Sequence, residues 1–360
     1  MECRYYFKEL INGWESWENL IKSSNIFEDL VRHIFSQNGL KFTKIDQAFP
    51  AWNAVFKVGT FLIKIFAPIE SGYKYSLSDF NTEIKGQKFA LSAGVNTPKI
   101  ISHGVFNDKY EFLYLIEEFI ENCVTLEDDF FFSLCEEEKR SIGKKLREIV
   151  DKMNVKNESI RSMNFFEMFQ RNENWMKFPL SFHQEQHKKV QEFQKKIDNS
   201  HNCNYTNNNY INSSNYQINN NQTNDYGINK NDGNKKNEEL GVLDIDLVFV
   251  HGDLHGGNIL YSKDTRTLTI IDFADSFQAP KSYEHSLIAM ELFRFDKSAI
   301  LGFFSEEEIS NLPEICFEST LIHDLGEETI RDLFGSIEQF TSISIFKEKL
   351  VELFRKNVLE

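Results

Sequence analysis

The residues with the clearest chemical potential lie in one stretch, VFVHGDLHGGNILYSKDTRTLTIIDFADS, residues 248–276. Asp253 follows an apolar run, where its carboxylate could accept the proton of an attacking hydroxyl or orient that hydroxyl. Asn258 offers an amide oxygen to a hard cation, and Asp272, which ends a second apolar run, offers a carboxylate to the same cation. Phosphoryl transfer requires a positioned nucleophile and a divalent metal at the phosphates. The stretch therefore predicts a phosphotransferase site.

Each residue of this stretch also has a structural interpretation. Asp253 and Asp272 could be turn residues, but both follow apolar strands, where Asp is disfavoured, so the functional interpretation is favoured. His251 is expected to brace the loop by hydrogen bonds. His255 could contact a phosphate or a substrate, or could simply face solvent. Asp275 could bind metal or substrate, or could brace its loop.

The sequences HGDLHGGNIL and IDFADS resemble motifs of the aminoglycoside phosphotransferase and choline kinase-like family. The resemblance implies an α+β, bilobal protein kinase-like fold, with a small antiparallel sheet in the N-lobe and a mainly helical C-lobe. It implies that Asp253 is the catalytic base and that Asn258 and Asp272 bind magnesium. ATP and Mg²⁺ are the implied cofactors, and a small-molecule hydroxyl is the implied phosphate acceptor.

The resemblance covers about residues 42–310, apart from an Asn-rich tract. PAWNAVFKVGTFLIKIF is similar to the family's nucleotide loop, hairpin and strand lysine, which places Asn53 and Lys64 at the nucleotide. A lysine that points inward from an apolar strand is costly unless it meets an anion, so a phosphate partner makes physical sense. A solvent-facing strand lysine is the alternative. Glu83 matches the glutamate that pairs with this lysine, and a helix-surface glutamate is again the alternative.

The segment LYLIEEFIENCVTL resembles the family's hinge, where backbone groups of Glu118, Phe119 and Ile120 would contact adenine. Elsewhere the chain departs from the family pattern. A true Gly-rich loop is missing, and a helix that ends in Leu-His in many members reads Asp151-Lys-Met153 here. Asp-Phe-Ala replaces the protein-kinase Asp-Phe-Gly, and an Ala-Pro-Glu segment is missing. The last two departures favour a metabolite kinase over a protein kinase.

Hydrophobic periodicity predicts the elements that must position these residues. One or two amphipathic helices are expected within residues 15–36. One predicted helix, Asp79–Ala93, follows the third of five predicted strands, which is the order of a kinase N-lobe. These strands are Phe42–Phe49, Asn53–Val58, Phe61–Phe66, Lys99–Val105 and Phe112–Ile120. Residues 1–120 are therefore predicted to form the N-lobe, with N-terminal helices and a nucleotide-binding sheet.

Residues 121–360 are predicted to form the mainly helical C-lobe that carries the catalytic loop. Ser133 and Glu136 form a possible capping box at the start of a helix that runs to about Asn154. Residues 199–237 are rich in Asn and nearly free of large aliphatic side chains, so they are predicted to be a disordered insertion. The remaining predicted elements are helices at Ser162–Arg171, His183–Asp198 and Ile345–Val358, and strands at Asp246–Val250 and Thr267–Ile271.

Composition narrows the function classes. The chain has 360 residues, 41% of them hydrophobic, which suffices for a substantial core. Its net charge of −15 gives no global basic footprint, so nucleic acid is not an expected partner. Five scattered cysteines without a CxxC pair, and no apolar signal or membrane-length segment, indicate a cytoplasmic protein without a membrane partner. The acidic runs at residues 127–129 and 136–138 could contact a cationic acceptor, or could be a solvated face and a helix N-terminus.

Three hypotheses follow. The first is a small-molecule kinase with an aminoglycoside-, choline- or sugar-like acceptor. The second is a protein kinase-like enzyme with a protein substrate, which the missing Ala-Pro-Glu segment disfavours. The third is a non-catalytic nucleotide-binding scaffold. The presence together of Lys64, Asp253, Asn258 and Asp272 disfavours that third hypothesis, because a decayed site would not need to retain all four.

Overall fold

A five-stranded antiparallel sheet forms the first part of the structure, a computed structural model that describes residues 5–48, 52–202 and 246–360. Its spatial order is β1-β2-β3-β5-β4. The strands are β1 (Ile45–Gln47), β2 (Ala54–Val58), β3 (Phe61–Ile65), β4 (Ile100–Asn107) and β5 (Glu111–Glu118). The predicted antiparallel N-lobe sheet is therefore confirmed. Where the structure describes a strand end, it lies within three residues of the predicted one.

A two-residue hairpin joins β2 to β3. Gly59 has a φ of +64°, a conformation that two-residue hairpins favour and that glycine adopts without a steric penalty. The register pairs Val55 with Lys64 and Phe56 with Ile63. Because successive side chains of a strand point to opposite faces, Ile63 and Ile65 face one side of the sheet and Lys64 faces the other.

The two faces of the sheet are covered by different helices. The helices α1 (Trp14–Leu20) and α2 (Ser24–Gln37) pack on one face through an aromatic cluster that includes Trp17, Phe27 and Phe56. The third helix, α3 (Ser76–Ser92), packs on the other face, where Phe80 and Ile84 join a small cluster with residues of β5. The predicted helices are thus present, and α3 begins three residues earlier than predicted.

The rest of the chain is mainly helical and shares one large hydrophobic cluster. Its helices are α4 (Asp128–Ser133), α5 (Glu136–Met153), α6 (Phe165–Arg171), α7 (Leu180–Asn202), α8 (Lys281–Leu287), α9 (Lys297–Phe303), α10 (Glu306–Ile322), α11 (Gly326–Phe334) and α12 (Ile343–Phe354). Short strands form two small sheets, β6-β8-β9 and β10-β7. These strands are β6 (Cys123–Thr125), β7 (Leu247–Val250), β8 (Ile259–Ser262), β9 (Leu268–Ile270) and β10 (Phe277–Pro280). None of the helices in the described ranges combines the length and apolarity needed to cross a bilayer.

Two details of the C-terminal part differ from the sequence predictions. The capping box at Ser133 is wrong, because Ser133 ends α4 and its hydroxyl donates to the Phe130 carbonyl. An extended Leu134 separates the two helices, so Cys135 becomes the N-cap of α5.

The predicted start of the Asn-rich insertion is also wrong. Helix α7 continues to Asn202, four residues into the predicted 199–237 segment, and residues 203–237 lie outside the described residues. The last turns of α7 are anchored by Phe193 and Ile197, which are buried in the core. Tertiary packing of one face therefore extends a helix whose polar composition alone does not favour it.

Candidate active site

A buried lysine connects three elements where the sheet meets the helical part of the chain. Lys64 on β3 is 5% exposed, and its Nζ lies 2.7 Å from Glu83 Oε1 on α3. The same Nζ lies 3.0 Å from Asp272 Oδ1, in the loop after β9. The structure therefore brings together three of the residues that the sequence nominated, from positions far apart in the chain.

Charge pairing keeps Lys64 and Asp272 ionised, whereas burial outweighs the charge of Lys64 at Glu83 and raises the pKa of that carboxyl to about 8. Burial lowers the pKa of Lys64, but the carboxylates of Asp272, Glu83 and Glu117 outweigh burial and raise the pKa above its ordinary value. Burial also opposes ionisation of Asp272, yet the charge and hydrogen bond of Lys64 hold the Asp272 pKa below its ordinary value. The site thus holds a fixed ammonium next to a fixed carboxylate, with 42% of the Asp272 side chain accessible to solvent.

Asp272 has a φ of +62°, in the left-handed region that residues other than glycine seldom adopt. Such conformations are costly and cluster at functional sites, where the surrounding structure holds them in place. The Asp272 backbone is held by its neighbours on both sides. The Ile271 N–H donates to the Asn258 carbonyl, and the Ser276 N–H donates to the Phe273 carbonyl. The strained backbone aims the carboxylate at Lys64.

The loop between β7 and β8 holds Asp253 and Asn258 together. The Asn258 side-chain amide donates to the Asp253 carbonyl over 2.8 Å and to Asp253 Oδ2 over 3.1 Å. The donors of Asn258 therefore bind within the loop, and its Oδ1 atom remains as an oxygen ligand for a cation. The Asp253 side chain is 25% exposed, so a substrate hydroxyl could reach it.

The two histidines of this loop have different surroundings. His251 is fully buried, and its Nε2 lies 2.9 Å from the Ile271 carbonyl, which links the loop to the segment before Asp272. Burial lowers the His251 pKa, so the ring is neutral and braces the loop. His255 Nε2 lies 3.5 Å from Asp253 Oδ2. Burial lowers the pKa of His255 as well, but the hydrogen bond and charge of Asp253 outweigh burial and raise it.

Glu284 on α8 is a site residue that the sequence reasoning missed. It is 1% exposed, and its Oε1 accepts the His251 backbone N–H over 2.5 Å. The Gly252 N–H also bonds to this carboxylate. Glu284 therefore holds the backbone just before Asp253. The segment SYEHSLIAMELF also contains Glu291, a histidine and two serines, so its sequence does not single out Glu284.

The predicted nucleotide contacts are only partly free to serve that role. The N–H of Glu118 donates to the Lys99 carbonyl over 3.0 Å, and the N–H of Phe119 donates to the Thr60 carbonyl over 2.9 Å. Both amide donors therefore already serve the sheet. The ring of Phe119 lies under the Lys57 ammonium, 3.9 Å from its centroid.

Asn53 lies beside the end of β3. Its Oδ1 accepts the Ala67 N–H over 3.4 Å, so this oxygen already has a structural partner. Residues 49–51 of the adjoining β1–β2 connection lie outside the described residues.

A cavity of about 300 Å³ opens beside the β7–β8 loop at residues 255–257. Besides that loop, it is lined by Leu126, Glu127, Glu291, Leu292, Arg294 and Asp332. Of the two acidic runs noted in the sequence, the first contributes Glu127 to this wall. The second, residues 136–138, forms the first turn of α5.

Within the described residues, no three His, Cys, Asp or Glu side chains are arranged to hold a metal by themselves. Magnesium does not require such a set, because it is commonly held by one or two protein ligands together with waters and substrate phosphates. Asp272 and Asn258 provide one carboxylate and one amide oxygen. Both are hard oxygen donors, so the donor chemistry fits Mg²⁺.

The sequence profile of the phosphotransferase enzyme family (APH) matches residues 237–308. This range includes Asp253, Asn258, Asp272 and Glu284. No curated protein sequence matches the chain.

Several solved structures have a similar fold. A Plasmodium vivax ethanolamine kinase gives a TM-score of 0.52 at 12% identity, over 96% of this chain and 95% of that one. A choline kinase from Streptococcus pneumoniae gives 0.50 at 12% identity, over 92% and 99% of the two chains. An aminoglycoside 2′-phosphotransferase, solved as its GDP complex, gives 0.50 at 13% identity, over 93% and 98%.

These likenesses confirm the predicted protein kinase-like fold class. The profile match confirms the predicted family resemblance in the segment that carries Asp253, Asn258 and Asp272. The chain thus has a protein kinase-like fold, and its residues 237–308 match the phosphotransferase enzyme family.

Proposed function

We propose that this protein transfers the γ-phosphate of ATP to a hydroxyl of a small molecule. One observation carries the proposal: Lys64 bridges Glu83 and Asp272, and His251 ties the loop that carries Asp253 to Ile271, the residue before Asp272. Catalysis of phosphoryl transfer depends on positioning and charge stabilisation more than on covalent chemistry. The arrangement supplies a fixed cation, a fixed carboxylate and a hydrogen-bonded base.

The nucleotide is proposed to lie between the sheet and the catalytic loop. The Lys64 ammonium would contact its phosphates, and Glu83 would hold that ammonium in place. Because the N–H groups of Glu118 and Phe119 already bond within the sheet, adenine would use backbone carbonyl groups there and the backbone of Ile120. Asn53 would support the nucleotide loop through its bond to Ala67.

Asp272 and Asn258 would hold Mg²⁺. When bound, magnesium neutralises charge on the ATP phosphates and thereby favours transfer. Asn258 has a second role, because its amide fixes the Asp253 carboxylate by a 3.1 Å hydrogen bond. Asp253 would accept the proton of the acceptor hydroxyl, or orient that hydroxyl, as the phosphoryl group is transferred.

The acceptor is proposed to enter through the cavity beside residues 255–257. Its wall includes three carboxylates and one guanidinium, from Glu127, Glu291, Asp332 and Arg294. This charge balance suits an amine-bearing alcohol better than a neutral sugar, since opposite charges attract in a partly desolvated site. The similar solved structures include kinases named for choline, ethanolamine and aminoglycosides, which are acceptors of that kind.

The connection after Asp272 argues against a protein substrate. Only eight residues separate Asp272 from Lys281, the first residue of α8, and four of them form β10. Protein kinases carry an activation loop with a regulatory phosphorylation site between the corresponding points. The short connection leaves no room for such a segment.

The proposal can be tested by incubating the protein with γ-labelled MgATP in a deproteinised metabolite extract, beside the Asp253→Asn variant. We expect a labelled small molecule that forms only with the unaltered protein, and its mass would identify the acceptor. Label found only on added proteins would support the protein-kinase alternative. ATP binding without transfer to any acceptor class, including amino alcohols, aminoglycosides and sugars, would contradict the proposal and favour a nucleotide-binding scaffold.

A further inference from the structure

Asn154 lies where the end of α5 meets the strand that leads into the catalytic loop. It is the C-cap of α5, directly after Met153. Its side-chain amide donates to the Phe249 carbonyl over 3.0 Å and to Glu284 Oε2 over 2.8 Å. A further bond joins the same segments, since the Phe249 N–H donates to the Val155 carbonyl over 2.9 Å.

Glu284 in turn holds the catalytic loop. One of its oxygens accepts the His251 N–H and the other accepts the Asn154 amide. The carboxylate is almost fully buried, so an ionised form needs hydrogen bonds to replace water. A chain of contacts thus runs from Asn154 through Glu284 to the backbone that precedes Asp253.

We propose that Asn154 is a positioning residue that keeps the Glu284 carboxylate oriented to hold the His251 and Gly252 N–H groups, and so fixes Asp253 for phosphoryl transfer. This inference rests on the proposed function for its catalytic consequence. Its structural part concerns two backbone amides and can be measured without catalysis.

The pH dependence follows from the partners of Glu284. Burial raises the Glu284 pKa to about 7, and hydrogen bonds from Asn154, His251 and Gly252 lower it against that effect. Within the described part of the chain these are the groups that act on it, from α5 and from the loop, and the His251 ring is neutral. Removing the Asn154 donor therefore raises the Glu284 pKa further, so the ionised form is lost at a higher pH.

We call the contact of the Asn154 amide with the Glu284 carboxylate the brace, and two substitutions test it. Asn154→Leu removes the hydrogen-bond donor. We expect the fall of kcat on the acid side of its pH profile (the acid limb) to move to higher pH by about one unit, because the free energy of one charge-assisted hydrogen bond corresponds to about one pKa unit. Asn154→Asp keeps the shape but places a second carboxyl against Glu284, so the limb should move in the same direction. Amide hydrogen exchange at His251 and Gly252 should rise about tenfold in both variants.

The matched control is Gln186→Leu. Gln186 is a buried amide on α7, and its side chain donates to the Leu321 carbonyl over 2.9 Å rather than to Glu284. We expect this variant to lose stability without a shift of the acid limb or faster exchange at residues 251 and 252. If Asn154→Leu does not fold, the pH profile of kcat and the amide exchange of Asn154→Asp test the proposal instead.

The outcomes separate the brace from the proposed function. Faster exchange at residues 251 and 252 in a protein that transfers no phosphate would support the brace and contradict the function. Phosphate transfer with an unmoved acid limb and unchanged exchange in both Asn154 variants would overturn the brace and leave the function standing. An equal shift in Gln186→Leu would also overturn it, because general destabilisation would then explain the effect.

Discussion

Lys64 Nζ lies 3.0 Å from Asp272 Oδ1, although 208 positions separate the two residues in the chain. Lys64 belongs to the central part of the N-terminal sheet, and Asp272 follows a strand of the helical part. The contact therefore sets the distance between the proposed phosphate-binding cation and the proposed metal-binding carboxylate. Both halves of the chain contribute to one charged site, and its charges are positioned by the fold rather than by a local motif.

The first prediction concerns the buried pair of Lys64 and Glu83. Lys64→Met removes the partner of the Glu83 carboxyl, which is 2% exposed and whose pKa burial raises to about 8. The carboxyl then protonates and stays buried without its partner, so we expect a loss of about 1–3 kcal/mol in the free energy of unfolding. The double variant Lys64→Met/Glu83→Leu should recover much of that loss, because the buried Glu83 carboxyl that lost its partner is then absent. Urea unfolding of both variants measures this. Equal instability of the single and double variants would contradict the assigned coupling.

The second prediction concerns the proposed metal ligand. Asp272→Ala removes a carboxylate from the Mg²⁺ site and leaves Lys64 with Glu83 as its remaining bonded carboxylate, so MgATP binding should weaken by about tenfold or more. Isothermal titration calorimetry measures the affinity. Asp264→Ala, an exposed carboxylate of the β8–β9 turn, serves as the control and should bind normally. Unchanged affinity in Asp272→Ala would remove this residue from the site.

The third prediction concerns the contact of α3 with the segment after Asp272. A Cβ at Gly86 would collide with Ser276 Oγ and lie 2.9 Å from Phe273 Cβ. We expect Gly86→Ala to displace α3, to cost about 1–3 kcal/mol of stability and to weaken MgATP binding through Glu83. The neighbouring exposed Lys85→Ala is the control. Wild-type melting temperature and affinity in Gly86→Ala would show that the helix has room to move.

The fourth prediction concerns the pH dependence of stability. Burial opposes ionisation of Glu308, but hydrogen bonds from Arg147 and Ser305 lower its pKa from 4.5 to about 2. Because the folded-state pKa is depressed, this stabilisation is fully present above pH 4.5 and is lost as pH falls towards 2. Glu308→Gln should destabilise by about 1–2 kcal/mol at pH 7 and by less at pH 3. A difference in urea midpoint that does not shrink at pH 3 would contradict this.

The parts of the fold that could be predicted from sequence are those with strong local patterns. The alternation around Lys64 and the Gly59-Thr60 turn predicted the hairpin, because both depend on residues that are adjacent in the chain. The order of five strands and one helix then indicated the N-lobe. The helix end at Asn202 and the N-cap at Cys135 were missed, since packing and a single extended residue decided them.

The site shows the same division. Asp253, Asn258 and Asp272 stand in one motif, so their proximity could be inferred from the sequence. The role of Glu284 could not be inferred, because its loop partners are the backbone N–H groups of His251 and Gly252, and backbone amides carry no sequence signal. The same reason applies to the hinge. Whether the N–H of Phe119 is free depends on strand register, and the register gives it to Thr60.

The most direct test of the proposed chemistry compares turnover and MgATP affinity in Asp253→Asn, with Asp264→Asn as a matched surface control. The proposal predicts a fall in phosphate transfer of about 10²–10⁴-fold with MgATP affinity nearly unchanged, because a base acts on the acceptor hydroxyl and not on the nucleotide. The control should retain normal turnover. Normal turnover in Asp253→Asn, measured with the same acceptor, would contradict the assignment of Asp253 as the base and with it the proposed site.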